Sequence, residues 1–182
     1  MSIVITGNPG VGKHTVAEKI AQRLELSIID INKIARDSGL FEENEGVKDV
    51  DTEKLKKILV QKISENDLIV GHLAPYVLEK NQIKIMIVLR RSPYDLIAIY
   101  KNRKYSEKKI KENTGSEILG IIAHDAISRF EEKVVQMNIT GKTIQEGEEK
   151  VIGLISSNRE SEEIDWLDLV TKNNDLRKFF TD

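Results

Sequence analysis

The sequence predicts an α/β fold in which a parallel β-sheet is covered by helices on both faces. Short runs rich in Ile and Val alternate along the chain with segments whose apolar residues recur at helical spacing, and this alternation is typical of such sheets. The first run is followed at once by a glycine-rich segment and then by a helical segment. The chain has 182 residues, which suits one compact domain and is too short for two ordinary ones. Ligands of sheets in this class bind at the carboxyl ends of the strands.

The elements of the first half follow from these patterns. Strands are expected over residues 3–5, 26–30 and 68–70, where the runs are short and apolar. Residues 41–51 are acidic and poor in regular signals, so they are expected to form a loop. Helices are expected where apolar residues share one face, namely Val16, Ile20 and Leu24; Ile31, Ile34 and Ala35, before Gly39; and Leu55, Ile58, Leu59 and Ile63, after a capping Thr52.

The second half continues the alternation. Strands are expected over residues 83–89 and 137–140. Pro93 suits the first turn of a helix, and Ser106 is expected to begin a long helix that continues through Ile122. A last helix carries Ile144, Val151 and Ile155.

Composition excludes several classes of protein. Lys and Arg total 28 against 30 for Asp and Glu, and the net charge of −2 excludes a polycation that coats nucleic acid or anionic membranes. The absence of cysteine excludes a disulfide scaffold, a cysteine-based zinc site and a thiol nucleophile, and the three histidines lack the spacing of a helical metal pair. No apolar run approaches the roughly 18 residues of a membrane span. No signal-peptide pattern is present. A cytoplasmic protein without sequence-specific nucleic-acid binding is expected.

Charge is unevenly distributed along the chain. Residues 101–111 hold six basic groups against one acid, whereas residues 142–168 hold eight acids against three bases. Either run can be a solvated helix face. The basic run becomes important for function if an anionic ligand binds beside it.

A phosphate-binding loop is the strongest motif in the chain. Residues 7–15 are Gly-Asn-Pro-Gly-Val-Gly-Lys-His-Thr, directly after the first strand and at the start of the first helix. Glycines let backbone N–H groups converge on phosphate oxygens, the helix N-terminus adds partial positive charge, and Lys13 adds a full charge toward the β- and γ-phosphates. The alternative is an ordinary glycine-rich turn. The expected nucleotide-binding residues are Gly10, Val11, Gly12, Lys13, His14 and Thr15.

His14 departs from the usual form of this motif, which has Ser or Thr after the lysine as a Mg²⁺ ligand. Imidazole is a poor ligand for this hard ion. The Gly-x-Pro-Gly-x-Gly-Lys-x-Thr form of residues 7–15 resembles the loop of nucleoside monophosphate kinases. In that group the threonine, here Thr15, contacts phosphate and the metal is held largely through water. His14 is therefore expected to bind through its backbone N–H.

Four further segments are distinctive. Gly71-His72-Leu73 follows the third strand, Val88-Leu89-Arg90-Arg91-Ser92-Pro93 closes the fourth, and Asp165-Trp166-Leu167 lies near the C-terminus. The most specific segment is Arg-Lys-Tyr-Ser-Glu-Lys-Lys-Ile-Lys-Glu-Asn at residues 103–113. Together these segments resemble the adenylate kinase isoenzyme 6 family, which consists of small kinase-like ATPases linked to assembly of the small ribosomal subunit. The resemblance covers nearly the whole chain.

This resemblance implies a three-layer P-loop nucleoside monophosphate kinase fold. It implies a single P-loop kinase domain over residues 1–182, with an acceptor-nucleotide flap at about 30–53 and a short lid at about 102–113. ATP and Mg²⁺ are the implied cofactors, AMP and ADP the implied substrates, and small-subunit ribosomal protein number eleven the implied partner. The expected catalytic residues are Lys13, Arg103 and His72; Arg103 also contacts the nucleotide, and Thr15 touches the metal through water.

The chain also departs from that family, whose members commonly have Asp-x-His at the end of the third strand. Here the triplet is Val70-Gly71-His72, so the acid that orients Mg²⁺ and the attacking group is missing. Asp30, at the end of the second strand, is the nearest replacement and suits a helix cap equally well. His72 suits either the orientation of a reacting group or a structural role.

Three other side chains have two possible roles each. Arg90 could reach phosphate or pair with an acid in the core, and Tyr105 could stack on adenine or pack in the lid hinge. Arg103 could lie over the phosphates or be a solvated residue at a helix end.

Three functions are compatible with the sequence. The first is an adenylate kinase that converts ATP and AMP to two ADP, with ATP hydrolysis as a further activity, acting in maturation of the small ribosomal subunit. The second is an ATP-gated assembly factor with little kinase activity, whose acidic residues 142–168 suit a basic ribosomal protein. The third, a small-metabolite kinase of the shikimate type, is disfavoured by the spacing of the lid.

Overall fold

The computed structural model describes residues 1–44, 47–156 and 159–180, with the backbone alone described over 41–44 and 47–49. The strands are β1 (Ser2–Thr6), β2 (Ser27–Asp30), β3 (Phe41–Asn44), β4 (Val47–Val50), β5 (Asp67–Val70), β6 (Ile83–Arg90) and β7 (Val134–Asn138). The α-helices are α1 (Lys13–Leu24), α2 (Ile31–Asp37), α3 (Thr52–Lys62), α4 (Ala74–Val77), α5 (Pro93–Asn102), α6 (Glu107–Ile118), α7 (Ile121–Phe130), α8 (Ile144–Ser156), α9 (Trp166–Lys172) and α10 (Leu176–Phe180). Short 3₁₀ turns cover Lys80–Gln82 and Glu131–Lys133.

Five of these strands form one parallel sheet in the order β2-β5-β1-β6-β7. The chain leaves β1 at the centre of the sheet, and the strands that follow are added on both sides of it. Carboxyl ends of β1, β2, β5 and β6 therefore lie along one edge, where ligands of such sheets bind. All five predicted strands are present, although the last begins at residue 134 rather than 137. The predicted α/β fold class is confirmed.

The sheet separates two apolar clusters because side chains alternate between its faces. On one face, residues such as Ile5 and Val70 pack with Val16 and Ile20 of α1 and with Val151 of α8. On the other face, Val4, Ile69 and Met86 pack with residues of α3 and α7, including Leu59 and Ala126. Strands buried on both sides explain the nearly continuous apolar runs in the sequence. No helix in the described part of the chain is long and apolar enough to cross a membrane.

The prediction that residues 41–51 form a loop is wrong. The backbone there forms an antiparallel pair, in which Phe41 lies opposite Val50 and Asn44 lies opposite Val47. Acidic residues have low strand propensity, so the sequence carried little signal for these two strands. Residues 45–46, inside the predicted flap, lie outside the described residues. Asp51 rather than Thr52 caps the following helix, and its carboxylate accepts a hydrogen bond from Lys54 N at 3.0 Å.

The long helix expected from Ser106 through Ile122 is two helices. Ser106 does cap α6, since its hydroxyl accepts a hydrogen bond from Lys109 N at 3.3 Å. The helix ends at Ile118, and Gly120 has a φ of 63° in the left-handed region that glycine adopts without strain. The guanidinium of Arg90 occupies the space beside Gly120, 3.3 Å from the position of a Cβ atom. The break therefore makes room for Arg90 beneath the turn.

A buried carboxylate, Glu117, joins this turn to the rest of the molecule. Its side chain is fully buried and accepts a hydrogen bond from Arg90 Nε at 2.8 Å. The same carboxylate accepts hydrogen bonds from Asn8 Nδ2 at 2.6 Å, Arg91 N at 3.1 Å and Trp166 Nε1 at 3.0 Å. Arg90 further donates to Glu117 O at 2.7 Å and to Gln136 Oε1 at 2.6 Å. Arg90 thus pairs with an acid in the core, one of its two predicted roles.

We expect Glu117→Gln to lower the free energy of unfolding by about 3 kcal/mol, because it leaves the buried charge of Arg90 without its counter-ion. Urea unfolding at neutral pH measures this loss. Glu112→Gln is the matched control: Glu112 lies on the same helix, is exposed, and is 4.0 Å from Lys108 in an exposed ion pair. Its stability should equal that of the wild type. Equal stability of the two variants would show that Glu117 does not hold these segments together.

Candidate functional site

The segment between β1 and α1 forms a curled loop at the carboxyl edge of the sheet. Gly7, Gly10 and Gly12 all have φ in the left-handed region, at 137°, 86° and 98°. A Cβ atom on Gly7 would lie 2.4 Å from Leu89 O, and one on Gly10 would lie 2.9 Å from the Tyr100 ring. Side chains are thus excluded at both positions by neighbouring elements. Gly12 precedes the first residue of α1, so the loop leads directly into a helix N-terminus where backbone N–H groups are free to bind an anion.

Lys13, the first residue of α1, lies inside the curl. It is 4% exposed, and its Nζ donates a hydrogen bond to Asn8 O at 3.3 Å. Burial, the largest cause, and the positive charge of Arg103 lower the pKa of Lys13, the charge of Asp30 partly offsets them, and together they bring it from 10.5 to about 8. A buried ammonium with a carbonyl for a partner gains strongly from a polyphosphate placed beside it.

His14 and Asp30 form a pair beside the loop. His14 Nε2 lies 3.2 Å from Asp30 Oδ2, and Asp30 is placed there because it is the last residue of β2. Asp30 also caps α2, since it accepts a hydrogen bond from Lys33 N at 3.0 Å. Burial works against its charged form, but the hydrogen bonds from His14 and Lys33 outweigh burial and lower the pKa of Asp30. The imidazole of His14 therefore has a defined partner, which the sequence did not indicate.

His72 lies just beyond the end of β5, next to the same group of charges. Its Nδ1 is 3.1 Å from Asn32 Nδ2, and an amide N–H donated to Nδ1 leaves the ring proton on Nε2. Burial lowers the pKa of His72 to about 4, with further contributions from the charges of Lys13 and His14. His72 is consequently neutral at physiological pH. The structure brings Lys13, His14, Asp30 and His72 together.

Val70 occupies the position at which an acid was missing. It is 1% exposed and packs with Val16 and Ala17 of α1 in the core. Asp30 is its register partner on the adjacent strand β2. The carboxylate beside the loop is therefore Asp30 at the end of β2, whereas the end of β5 has Val70.

The segment predicted as a lid comprises the end of α5 and the first part of α6. Arg103 is exposed at the C-terminus of α5, close enough to Lys13 for its charge to lower the pKa of that lysine. Tyr105 stacks on Tyr100 with ring centroids 5.5 Å apart, and Lys109 Nζ lies 4.3 Å from the Tyr105 ring centroid. Tyr105 thus packs in the hinge between the helices, one of its two predicted roles.

Mg²⁺ usually retains several waters and takes one or two protein oxygens together with phosphate oxygens. The oxygen donors beside the loop are the hydroxyl of Thr15, two residues after Lys13, and the carboxylate of Asp30. Within the described residues, no group of three or more His, Cys, Asp or Glu side chains could hold a metal by itself. This donor set fits a metal that arrives with a nucleotide, and it does not fit a permanent metal cage.

Sequence reasoning missed three residues of this region. Asn8 was included in the motif only as a spacer, Arg91 appeared within a segment of family resemblance without a role, and Glu117 was given none. Asn8 Oδ1 accepts a hydrogen bond from Ser116 Oγ at 3.1 Å, and its amide binds Glu117, so α6 holds the loop directly. The guanidinium of Arg91 lies over Gly12, with Nη1 4.0 Å from the position of a Cβ atom there. The sequence feature that could have indicated a role for Arg91 is the pair of adjacent arginines, Arg90 and Arg91, at the end of a predicted strand.

A parallel sheet with a phosphate-binding loop between β1 and α1, and with charged residues along its carboxyl edge, defines a P-loop kinase fold. A family model described as an AAA domain matches residues 3–120. A protein of Methanosarcina barkeri named "Putative adenylate kinase" is 36% identical over 187 residues, which cover 93% of this chain and 100% of that protein. The chain therefore belongs to this P-loop kinase family.

Solved structures at low sequence identity share the fold. A gluconokinase from Sinorhizobium meliloti aligns with a TM-score of 0.60 at 16% identity, covering 85% of this chain and 91% of that one. A shikimate kinase from Bacteroides thetaiotaomicron aligns with a TM-score of 0.56 at 19% identity, covering 85% of this chain and 98% of that one. Both similarities concern the α/β architecture.

The neutral state of His72 predicts a pH dependence of stability. The pKa of His72 in the folded protein, about 4, lies below its ordinary value of 6.5, so the unfolded chain binds this proton more readily. Stability should therefore be lost as the pH falls from about 6.5 to about 4. We expect His72→Gln to lose less stability than the wild type over this range in urea unfolding. His124→Gln, at an exposed histidine of α7, should behave as the wild type does. Parallel profiles for all three proteins would contradict the burial of a neutral His72.

Proposed function

We propose that this protein is an adenylate kinase that converts ATP and AMP to two ADP and also hydrolyses ATP slowly. The observation that carries the proposal is the buried Lys13 inside a curled loop, whose charge is close enough to those of Asp30 and Arg103, and to His72, for electrostatic interaction. The family relationship to a protein named as an adenylate kinase supports AMP as the acceptor. In this proposal residues 1–182 form one domain, in which about 30–53 are the acceptor-nucleotide flap and about 102–113 are the lid.

The reaction breaks the bond between the γ-phosphorus of ATP and the oxygen that leaves with ADP. A new bond forms between that phosphorus and a phosphate oxygen of AMP, so the atoms balance without an oxidant, a reductant or a net proton. In hydrolysis a water oxygen takes the place of AMP and one proton is released. Such transfers depend mainly on positioning and on neutralisation of phosphate charge.

Each residue of the site has a role in this scheme. Backbone N–H groups from Gly10 to Thr15 bind the phosphates of ATP, and Lys13 exchanges its bond to Asn8 O for the β- and γ-phosphates. The exposed Arg103 moves over the transferred group as the lid closes, and the Nε2–H of His72 binds an equatorial oxygen. Thr15 would hold a bound Mg²⁺ through water, with the carboxylate of Asp30 beside it, and the ion would neutralise phosphate charge.

A second function is an ATP-gated assembly factor that binds a basic protein, such as the small-subunit ribosomal protein implied by the sequence resemblance. The observation that favours it is the exposure of Glu146, Glu149, Glu160 and Glu163 within the acidic residues 142–168, of which 157–158 lie outside the described residues. Such a surface suits a basic partner. In this case ATP hydrolysis would regulate release of the partner in maturation of the small ribosomal subunit. A location in the cytoplasm, where both activities would operate, stays a prediction.

An assay of ADP formation with and without AMP tests the proposed reaction. We expect AMP to raise the rate of ADP formation at saturating Mg–ATP, with two ADP formed for each ATP consumed. Lys13→Ala should remove the activity and retain the fold, because alanine is a good helix former. A rate that does not respond to AMP would reject the kinase and leave the ATP-gated factor. Full activity of Lys13→Ala would reject the loop as the site.

The role of Arg103 predicts an effect on turnover rather than on binding. We expect Arg103→Ala to lower kcat by about 10³-fold, because an arginine over the transferred phosphoryl group acts in the transition state. The dissociation constant of ATP, measured without turnover, should change far less. Lys101→Ala, an exposed lysine of the preceding helical turn, is the control and should retain kcat. An increase in KM alone would make Arg103 a ground-state contact.

A further inference from the structure

Arg91 lies beside the loop, and none of the roles described above involves its side chain. Its Nη1 is 4.0 Å from the position of a Cβ atom on Gly12, and no other neighbouring atom lies within that distance. Gly12 has a φ of 98° and directly precedes the buried Lys13. The space over Gly12 is thus bordered by the Arg91 guanidinium, next to the residue at which α1 begins.

The backbone at Arg91 is fixed by two hydrogen bonds. Arg91 N donates to Glu117 Oε1 at 3.1 Å, and Ser92 N donates to Thr140 Oγ1 at 2.8 Å. The loop is attached to the same carboxylate through Asn8, so Arg91 and the loop share one anchor. A guanidinium on such a backbone is pre-positioned, and less entropy is lost when it binds a ligand.

The two adjacent arginines are used differently. Arg90 is 4% exposed and binds Glu117 and Gln136 in the core. The Arg91 side chain is 24% exposed, and its Nε has no hydrogen-bond partner among the residues that the structure describes. Its nearest carboxylate, Asp95 Oδ2, lies 3.6 Å from Nε and is 43% exposed. Asp95 is thus an ion-pair partner at a separation that exceeds a hydrogen bond, and it does not occupy the Nε donor of Arg91.

We propose that Arg91 binds the polyphosphate chain of the donor nucleotide, as a side-chain contact additional to the loop and Lys13. The inference rests on the proposed use of ATP and adds a residue that determines affinity for the donor. A guanidinium presents paired N–H donors that match phosphate oxygens. Arg91 is anchored and partly buried, unlike Arg103, which is exposed at a helix end. Arg91 therefore contributes to ground-state binding of the donor.

Calorimetric titration with two probes tests this contact. The first probe is ATP and the second is inorganic tripolyphosphate, which has neither base nor ribose. We expect Arg91→Gln to weaken the binding of both by about tenfold, in line with a lost charge-assisted hydrogen bond. The control is Arg23→Gln, since Arg23 is ion-paired with Glu148 at 3.2 Å and lies in the last turn of α1, at the opposite end from the loop. It should bind both probes as the wild type does.

Each other outcome overturns the inference. Unchanged affinity of Arg91→Gln for both probes, with normal binding by the wild type, overturns the role of Arg91 and leaves the kinase proposal intact. Weaker binding of ATP alone assigns the guanidinium to the base or the ribose, contrary to the inference. If the wild type binds neither probe, the kinase proposal fails together with it.

A second variant keeps the test decisive if Arg91→Gln does not fold. Asp95→Asn removes the carboxylate closest to Arg91 and should bind tripolyphosphate at least as tightly as the wild type. Weaker binding by Asp95→Asn would show that the ion pair, rather than a free guanidinium, is what the site requires, and would overturn the inference.

Discussion

The ion pair between Glu117 and Arg90 is the interaction on which the arrangement of this site depends. Removing a carboxylate from water costs several kcal/mol unless its oxygens are fully paired. Here that requirement is met by an arginine at the end of β6, a loop amide, a backbone N–H and an indole. Four segments that are distant in sequence must therefore come together for the charge to be tolerated. The loop geometry is a consequence of this pairing as much as of the glycines.

The charged side chains at the carboxyl edge of the sheet include cations that repel one another. Lys13 is buried with the carbonyl of Asn8 as its hydrogen-bond partner, while His72 is kept neutral by burial and by the cations beside it. An anion that enters this edge relieves the repulsion among the cations and restores the solvation that Lys13 has lost. Burial of these groups lowers the stability of the fold and pre-organises the site for an anion.

Much of the fold could be predicted from the sequence because buried parallel strands leave continuous apolar runs, and because the loop motif fixes the junction of β1 and α1. The hairpin of β3 and β4 could not, since its residues are acidic and form no apolar run. The break between α6 and α7 was hidden by a helical periodicity that continues from Ile110 to Ile122, and one isolated Gly120 is tolerated in many helices.

The predictable part of the site was the part that follows from local spacing, namely the loop and its lysine. The contacts of His14 with Asp30 and of Asn32 with His72 join different strand ends, and no local pattern encodes such a meeting. Glu117 was equally hidden, because an acid in a charged helix resembles a residue of a solvated face. Its burial becomes apparent only when β6 and α6 are placed side by side.

The position of Trp166 has a spectroscopic consequence. It is the only tryptophan of the chain, it is 8% exposed, and its indole N–H is hydrogen-bonded to the Glu117 carboxylate at 3.0 Å. The other oxygen of that carboxylate holds the phosphate loop through Asn8 at 2.6 Å. The single tryptophan is thus two hydrogen bonds away from the loop. Selective excitation of the indole, apart from the four tyrosines, therefore addresses a side chain that is linked to the loop without any added label.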